Sequence, residues 1–222
     1  MNWSPYYVTA ASVLCILTGI LRFGELSNRL KILLIFLIVI VGLEELIVVL
    51  SPEREDEYRW IRHLYIFQRP FEYGIYASVV LEAVRFPKAG IYIRATALAF
   101  LGYVAVLFLT GNTGESSLST TFILIGIGSI AVSLVYFRSV MTSPVPVSLH
   151  SDPAFWVATA LLFFYSGNII VTGLYPQLLL ISEELAKLLY KSVTLSLGVV
   201  NYLLFAIAFF IGRKPPPGNA DQ

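Results

Sequence analysis

Long apolar runs recur along the chain, each closed by charge, proline, glycine or serine. They have the length of a bilayer crossing, for which a helix needs about 20 predominantly apolar residues. Only a segment whose backbone hydrogen bonds are satisfied internally can cross lipid, so each run predicts a helix. Seven spans follow, at about 6–21, 30–50, 64–84, 91–109, 118–137, 154–175 and 192–211. The expected fold class is all-α: a polytopic membrane protein, a seven-transmembrane-helix bundle. Residues 1–214 form one transmembrane domain, and 215–222 a short cytoplasmic tail.

The pattern is least regular in four places. Span 3 carries Gln68, Arg69, Pro70 and Glu72 in its first half, and Pro70 either bends it or marks a late start. The segment before it, 51–63, mixes charges of both signs behind Pro52 and suits a surface connection, with or without a short interfacial helix. Pro144 and Pro146 argue for a non-helical crossover before span 6. In span 6, Pro176 ends or bends the helix, and 178–191 alternates Leu and Ile with Glu183, Glu184, Lys187 and Lys191. That stretch either lies on the membrane surface or extends the last helix outward. Asp152 before Pro153 reads as the N-cap and first turn of span 6. Gly126, Ser129 and Ser133 fall on one side of span 5, which suits close helix packing.

Composition supports the membrane reading. Of 222 residues, 57% are hydrophobic and 13% charged, against about 25% charged in soluble domains. The formal net charge of +1 supplies no basic surface for nucleic acid. Cys15 is the sole cysteine, which excludes an internal disulfide and a cysteine-based metal site. His63 and His150 fall on opposite sides of the bundle, and HExxH is absent, so no metal site and no cofactor are expected.

Basic residues choose the orientation. Arg22, Arg29, Lys31, Arg85, Lys88, Arg94, Arg138, Arg213 and Lys214 gather on one side. The other side holds Arg54, Arg59, Arg62, Lys187 and Lys191, offset by acids. The chain is therefore expected in a bacterial inner (cytoplasmic) membrane, N-terminus outside and C-terminus cytoplasmic.

That orientation collects intramembrane polar groups toward the outer half. Glu44 and Glu45 lie near the outer end of span 2, and Arg69 and Glu72 in the outer half of span 3. Asn168, Thr172 and Tyr175 share a face of span 6, with Tyr165 one turn earlier. Asn201 and Thr194 share a face of span 7. Charge inside a bilayer turns toward a bundle interior, a cavity or a partner. Arg69 pairs with Glu72 on one turn, or with Glu44 or Glu45 across helices, and Asn168 and Asn201 are candidates to bond each other. Glu44, Glu45, Arg69, Glu72, Tyr165, Asn168, Thr172, Tyr175 and Asn201 are thus candidates for one polar chamber. The competing reading treats the same groups as interhelical glue or as interface anchors.

The run Asp152-Pro153-Ala154-Phe155-Trp156, followed by Phe163-Phe164-Tyr165-Ser166-Gly167-Asn168, resembles the penultimate span of small seven-helix membrane proteins of Bacteroidetes-type bacteria. Asn201 resembles a frequent asparagine of their last span. Similar regions precede histidine kinases as membrane sensor modules. The resemblance implies a membrane-embedded sensory or accessory module. Together with the polar chamber, the expected function is a non-enzymatic sensor or signalling accessory that binds a small or lipophilic ligand. With only a short tail after Lys214, its output is expected to need a separate cytoplasmic or membrane signalling partner. Membrane lipid is the other expected partner, and a homo-oligomer is compatible with the pattern. A small solute or proton-coupled transporter is the first alternative, motivated by the intramembrane charges, and an integral membrane enzyme acting on lipid the second. No catalytic constellation supports the last.

Overall fold

The structure, a computed structural model, describes residues 6–50, 58–84, 88–143 and 148–212. The charged connection 51–57, Arg85, the prolines at 144 and 146 and the tail from Arg213 lie outside the described residues, as do the side chains of 47–50, 58–60, 82, 89 and 115. Seven α-helices follow in order: α1 Tyr6–Leu21, α2 Asn28–Leu50, α3 Tyr58–Ala83, α4 Ala89–Leu109, α5 Glu115–Met141, α6 Pro153–Ile181 and α7 Glu183–Ile211. A single 3-10 turn, Leu149–Ser151, precedes α6. The protein is all-α.

Among the described residues four helices, α4 to α7, are long and apolar enough to cross a membrane. The seven helices match the expected spans in number. α1 has 16 residues. α2 carries Arg29 and Lys31 at one end and Glu44 and Glu45 toward the other, and α3 holds Arg69 and Glu72 inside. Much of the outward surface is nonetheless Leu, Ile, Val and Phe, including Leu98, Ile127, Phe163, Ile170 and Phe210. An exterior of this kind marks a membrane protein, since soluble monomers expose only limited apolar patches.

Several helices run further than their apolar stretches. α3 begins at Tyr58, and α7 begins at Glu183 rather than near Ser192. The polar residues there continue the helix beyond its apolar length. α6 continues through Pro176 to Ile181. One proline removes one backbone donor, whereas ending the helix would strand several donors and acceptors in apolar surroundings. The amphipathic stretch is therefore divided: 178–181 completes α6, and 183–191 forms the first turns of α7. The break is one residue, Ser182, which caps α7 by accepting from Leu185 N at 3.3 Å, with Glu183 and Glu184 in the first turn. Acids suit the positive end of a helix.

α6 and α7 form the most extensive pair, and α7 also packs on α1. α5 packs on α3 and α6, and α3 reaches α6 across the middle. α2 bridges α1 and α3, while α4 lies outside, against α3 and α5. The core runs through Cys15, Leu34, Tyr73, Tyr136, Leu161, Tyr165, Phe205 and Phe209. The small-residue stripe of α5 serves close approach: Gly126 faces Tyr165 and Ile169 of α6, and Ser129 and Ser133 are buried.

Hydroxyls inside these helices mostly bond their own backbone. Thr121, Ser133, Thr159 and Ser166 donate to the carbonyls four residues earlier. Asp152 does more than cap. Its Oδ1 accepts from Ala154 N at 2.9 Å, and its Oδ2 accepts from Tyr136 of α5 at 2.6 Å. One carboxylate thus starts α6 and ties it to α5.

Two outcomes follow. A Cβ at Gly128 would lie 2.9 Å from Tyr73 Cε2 and 3.2 Å from Phe100 Cε2, whereas one at Gly102 would meet nothing within 4 Å. Gly128→Val should lose about 1–3 kcal/mol through overpacking, and Gly102→Val should stay near wild type in thermal unfolding in dodecylmaltoside. In the same assay Asp152→Ala should be more destabilising than Tyr136→Phe, because it removes a cap of about 0.5–2 kcal/mol together with the interhelical bond.

Candidate functional site

The charged and polar residues of α3 and α6 converge on one network. Arg69 and Glu72 are one turn apart on α3, and Arg69 Nη1 pairs with Glu72 Oε2 at 2.5 Å. The second carboxylate oxygen accepts from Tyr165 of α6 at 2.9 Å. Glu72 and Tyr165 are buried, while the Arg69 side chain keeps 18% exposure. The guanidinium carbon stands 5.3 Å from the centre of the Phe122 ring, so α5 supplies a π face to the cation. Tyr76 and Tyr202 lie within electrostatic reach of the same carboxylate.

Beside this network α3, α5, α6 and α7 leave a cleft of about 330 Å³. α3 contributes Tyr65 and Arg69, and α5 contributes Leu118, Ser119 and Phe122. α6 contributes Phe164, Asn168 and Thr172, and α7 contributes Tyr190 and Thr194. They come from the first halves of α3, α5 and α7 and from the middle of α6. Two atoms on its walls are buried without a hydrogen-bond partner, Arg69 Nε and Thr194 Oγ1. Buried polar atoms are normally satisfied, so two orphans around one cavity are notable. Asn168 is buried and spends its Nδ2 on Phe164 O at 2.8 Å.

The nine candidate residues separate into groups. Arg69, Asn168 and Thr172 line the cleft, and Glu72 and Tyr165 form the hydrogen-bonded wall behind it. Glu44 interacts electrostatically with Arg69 and Glu72 but makes no hydrogen bond or ion pair among the described residues. Glu45 turns away and accepts from Thr9 of α1 at 3.0 Å. Tyr175 stacks on Tyr190 at 5.1 Å and reaches the cleft only through that ring. Asn201 lies two turns beyond Thr194 on α7, outside the lining, and its Oδ1 has no partner. The expected Asn168–Asn201 bond does not form, since Asn168 finds a carbonyl of its own helix first. Among the described residues no group of three or more His, Cys, Asp or Glu side chains could hold a metal ion.

Sequence reasoning missed the aromatic walls, Tyr65, Phe122, Phe164 and Tyr190. In a chain that is 14% aromatic, nothing in composition separates a ring facing a cavity from one facing lipid. The chain matches no protein-family profile, no curated protein and no solved structure.

The network predicts asymmetric mutational costs. Glu72→Leu leaves the Arg69 cation without its carboxylate and should lose about 3–5 kcal/mol. The double change Arg69→Met/Glu72→Leu should recover most of that in detergent thermal unfolding. Tyr165→Phe, which removes one hydrogen bond to the carboxylate, should cost less than Glu72→Leu.

Proposed function

We propose that this protein is a membrane-embedded sensor or signalling accessory that binds a small or lipophilic ligand in the cleft among α3, α5, α6 and α7. In this reading all seven helices cross a bacterial inner membrane, with the N-terminus outside and the cleft in the outer half. The carrying observation is the pair of unbonded polar atoms, Arg69 Nε and Thr194 Oγ1, on the wall of a cavity that four aromatic rings also line. A ligand with an apolar body and an acceptor or anionic head fits both. Its body stacks among Tyr65, Phe122 and Tyr190, and its head accepts from Arg69 and Thr194. Pockets of this kind, apolar with a few placed polar groups, are the usual small-molecule sites.

The cleft touches α7 through Tyr190 and Thr194, and α7 is the last described helix. A ligand that changes the seat of α7 against α6 thereby alters what a signalling partner meets at the other end. The resemblance of the α6 sequence to sensor modules ahead of histidine kinases agrees with this role. A carrier is the second reading, and Glu44 favours it. This carboxylate interacts electrostatically with the Arg69–Glu72 pair and makes no hydrogen bond or ion pair among the described residues.

The test is thermal unfolding of the purified chain in dodecylmaltoside with octanoate, phenylacetate and indole as probes. At least one amphipathic acid should raise the midpoint by on the order of 5 °C near saturation. The shift should vanish in Phe122→Ala and Thr194→Val. A shift that persists in both variants, or no shift with any probe, overturns the cleft as a ligand site. Proton flux in liposomes that falls in Glu44→Gln would move the assignment to the carrier.

A further inference from the structure

At the opposite end of the bundle α2, α3 and α4 leave a second cleft, of about 530 Å³. α2 and α4 both pack on α3 with little contact between each other. The gap therefore opens sideways, toward whatever surrounds the bundle. Two arginines stand at it, Arg29 from the start of α2 and Arg94 from the start of α4. Arg29 is anchored, since its Nη1 donates to the Ser78 carbonyl of α3. Arg94 is exposed and makes no hydrogen bond or ion pair among the described residues. Gly74 and Gly90 widen the floor, because a Cβ on either would meet nothing within 4 Å.

The rest of the gap is apolar. Ile32, Leu81, Ile93 and Ala97 line it. Ile35 and Val39 of α2 and Leu98 and Leu101 of α4 continue exposed apolar surface along the two helices. A doubly cationic mouth over a lateral apolar groove has the amphipathic pattern of a phospholipid. Guanidinium groups suit phosphate because their forked donors match its oxygens. Basic pockets between membrane helices on the cytoplasmic side are the places where anionic headgroups bind. Lys31 and Lys88 at the same end of α2 and α4 raise the local positive potential.

We propose that this cleft seats the headgroup phosphate of an anionic phospholipid, clamped between Arg29 and Arg94, with an acyl chain lying between α2 and α4. The assignment rests on the bundle being in a bilayer and is independent of the ligand cleft at the other end. An anionic lipid held there pins α4, the most peripheral helix, to α2.

The experiment is native mass spectrometry of the full chain in detergent, titrated with phosphatidylglycerol or phosphatidylcholine. Inorganic phosphate is tested in parallel by thermal shift. Phosphatidylglycerol should bind more tightly than phosphatidylcholine, with each arginine contributing about fivefold. Arg94→Gln should weaken the phosphatidylglycerol adduct by that factor, and Arg29→Gln/Arg94→Gln should abolish the preference. Arg94 is exposed, so Arg94→Gln should fold even if loss of the Arg29–Ser78 bond disables the double variant, and Arg94→Gln then decides alone. Phe122→Ala, at the other cleft, should leave the preference unchanged. Equal binding of the two lipids by the wild type, or an unchanged preference in Arg94→Gln, overturns the proposal. Arginine-dependent stabilisation by inorganic phosphate without a lipid preference would assign the site to a free phosphate instead and overturn the lipid.

Discussion

The ion pair between Arg69 and Glu72 constrains the centre of this bundle more than any other contact. A cation and an anion taken out of water cost several kcal/mol each, and their attraction offsets this only when the remaining valences are also met. Here the second carboxylate oxygen is met by Tyr165 of α6 and the guanidinium face by Phe122 of α5. One pair on α3 therefore dictates which faces α5 and α6 present to it. The cleft is a by-product of that arrangement. Three helices gathered around a charge pair, with α7 alongside, do not close completely over the outer edge of the arginine.

The fold was largely legible because its signal is the length of apolar runs. α1 begins and ends where its run does, and α4 departs by two residues at one end. The helix beyond its apolar length was legible only as one of two readings: 183–191 extends the last helix outward, as one reading of 178–191 had it, and Arg62 and His63 belong to α3 rather than to the connection before it. Pro176 was ambiguous because its local effect breaks one hydrogen bond, while apolar surroundings penalise breaking several. The 16-residue α1 and the charges inside α3 show why helix number and crossing number are separate questions.

The polar site was legible in part for a different reason. A charge in an apolar run is conspicuous, so Arg69, Glu72 and Asn168 stood out, and the periodicity of α6 grouped Tyr165, Asn168 and Thr172. The side to which Glu45 turns was decided by Thr9 on another helix. Such pairings depend on which helices become neighbours, which no local pattern contains. The aromatic walls needed the same information, since a phenylalanine is equally at home against lipid, core or ligand.

The double use of Asp152 carries one more implication. Its carboxylate fixes the first turn of α6 and holds the Tyr136 hydroxyl of α5 at the end remote from the cleft. Between these helices the bundle is latched at one end, and at the other it borders a cavity. Relative sliding along their axes would break the latch, whereas a small rotation would not. An opening of the cavity between α5 and α6 that kept both Asp152 bonds would have to be a scissoring about this joint. The pivot of such a lever would be a residue that does not line the cavity.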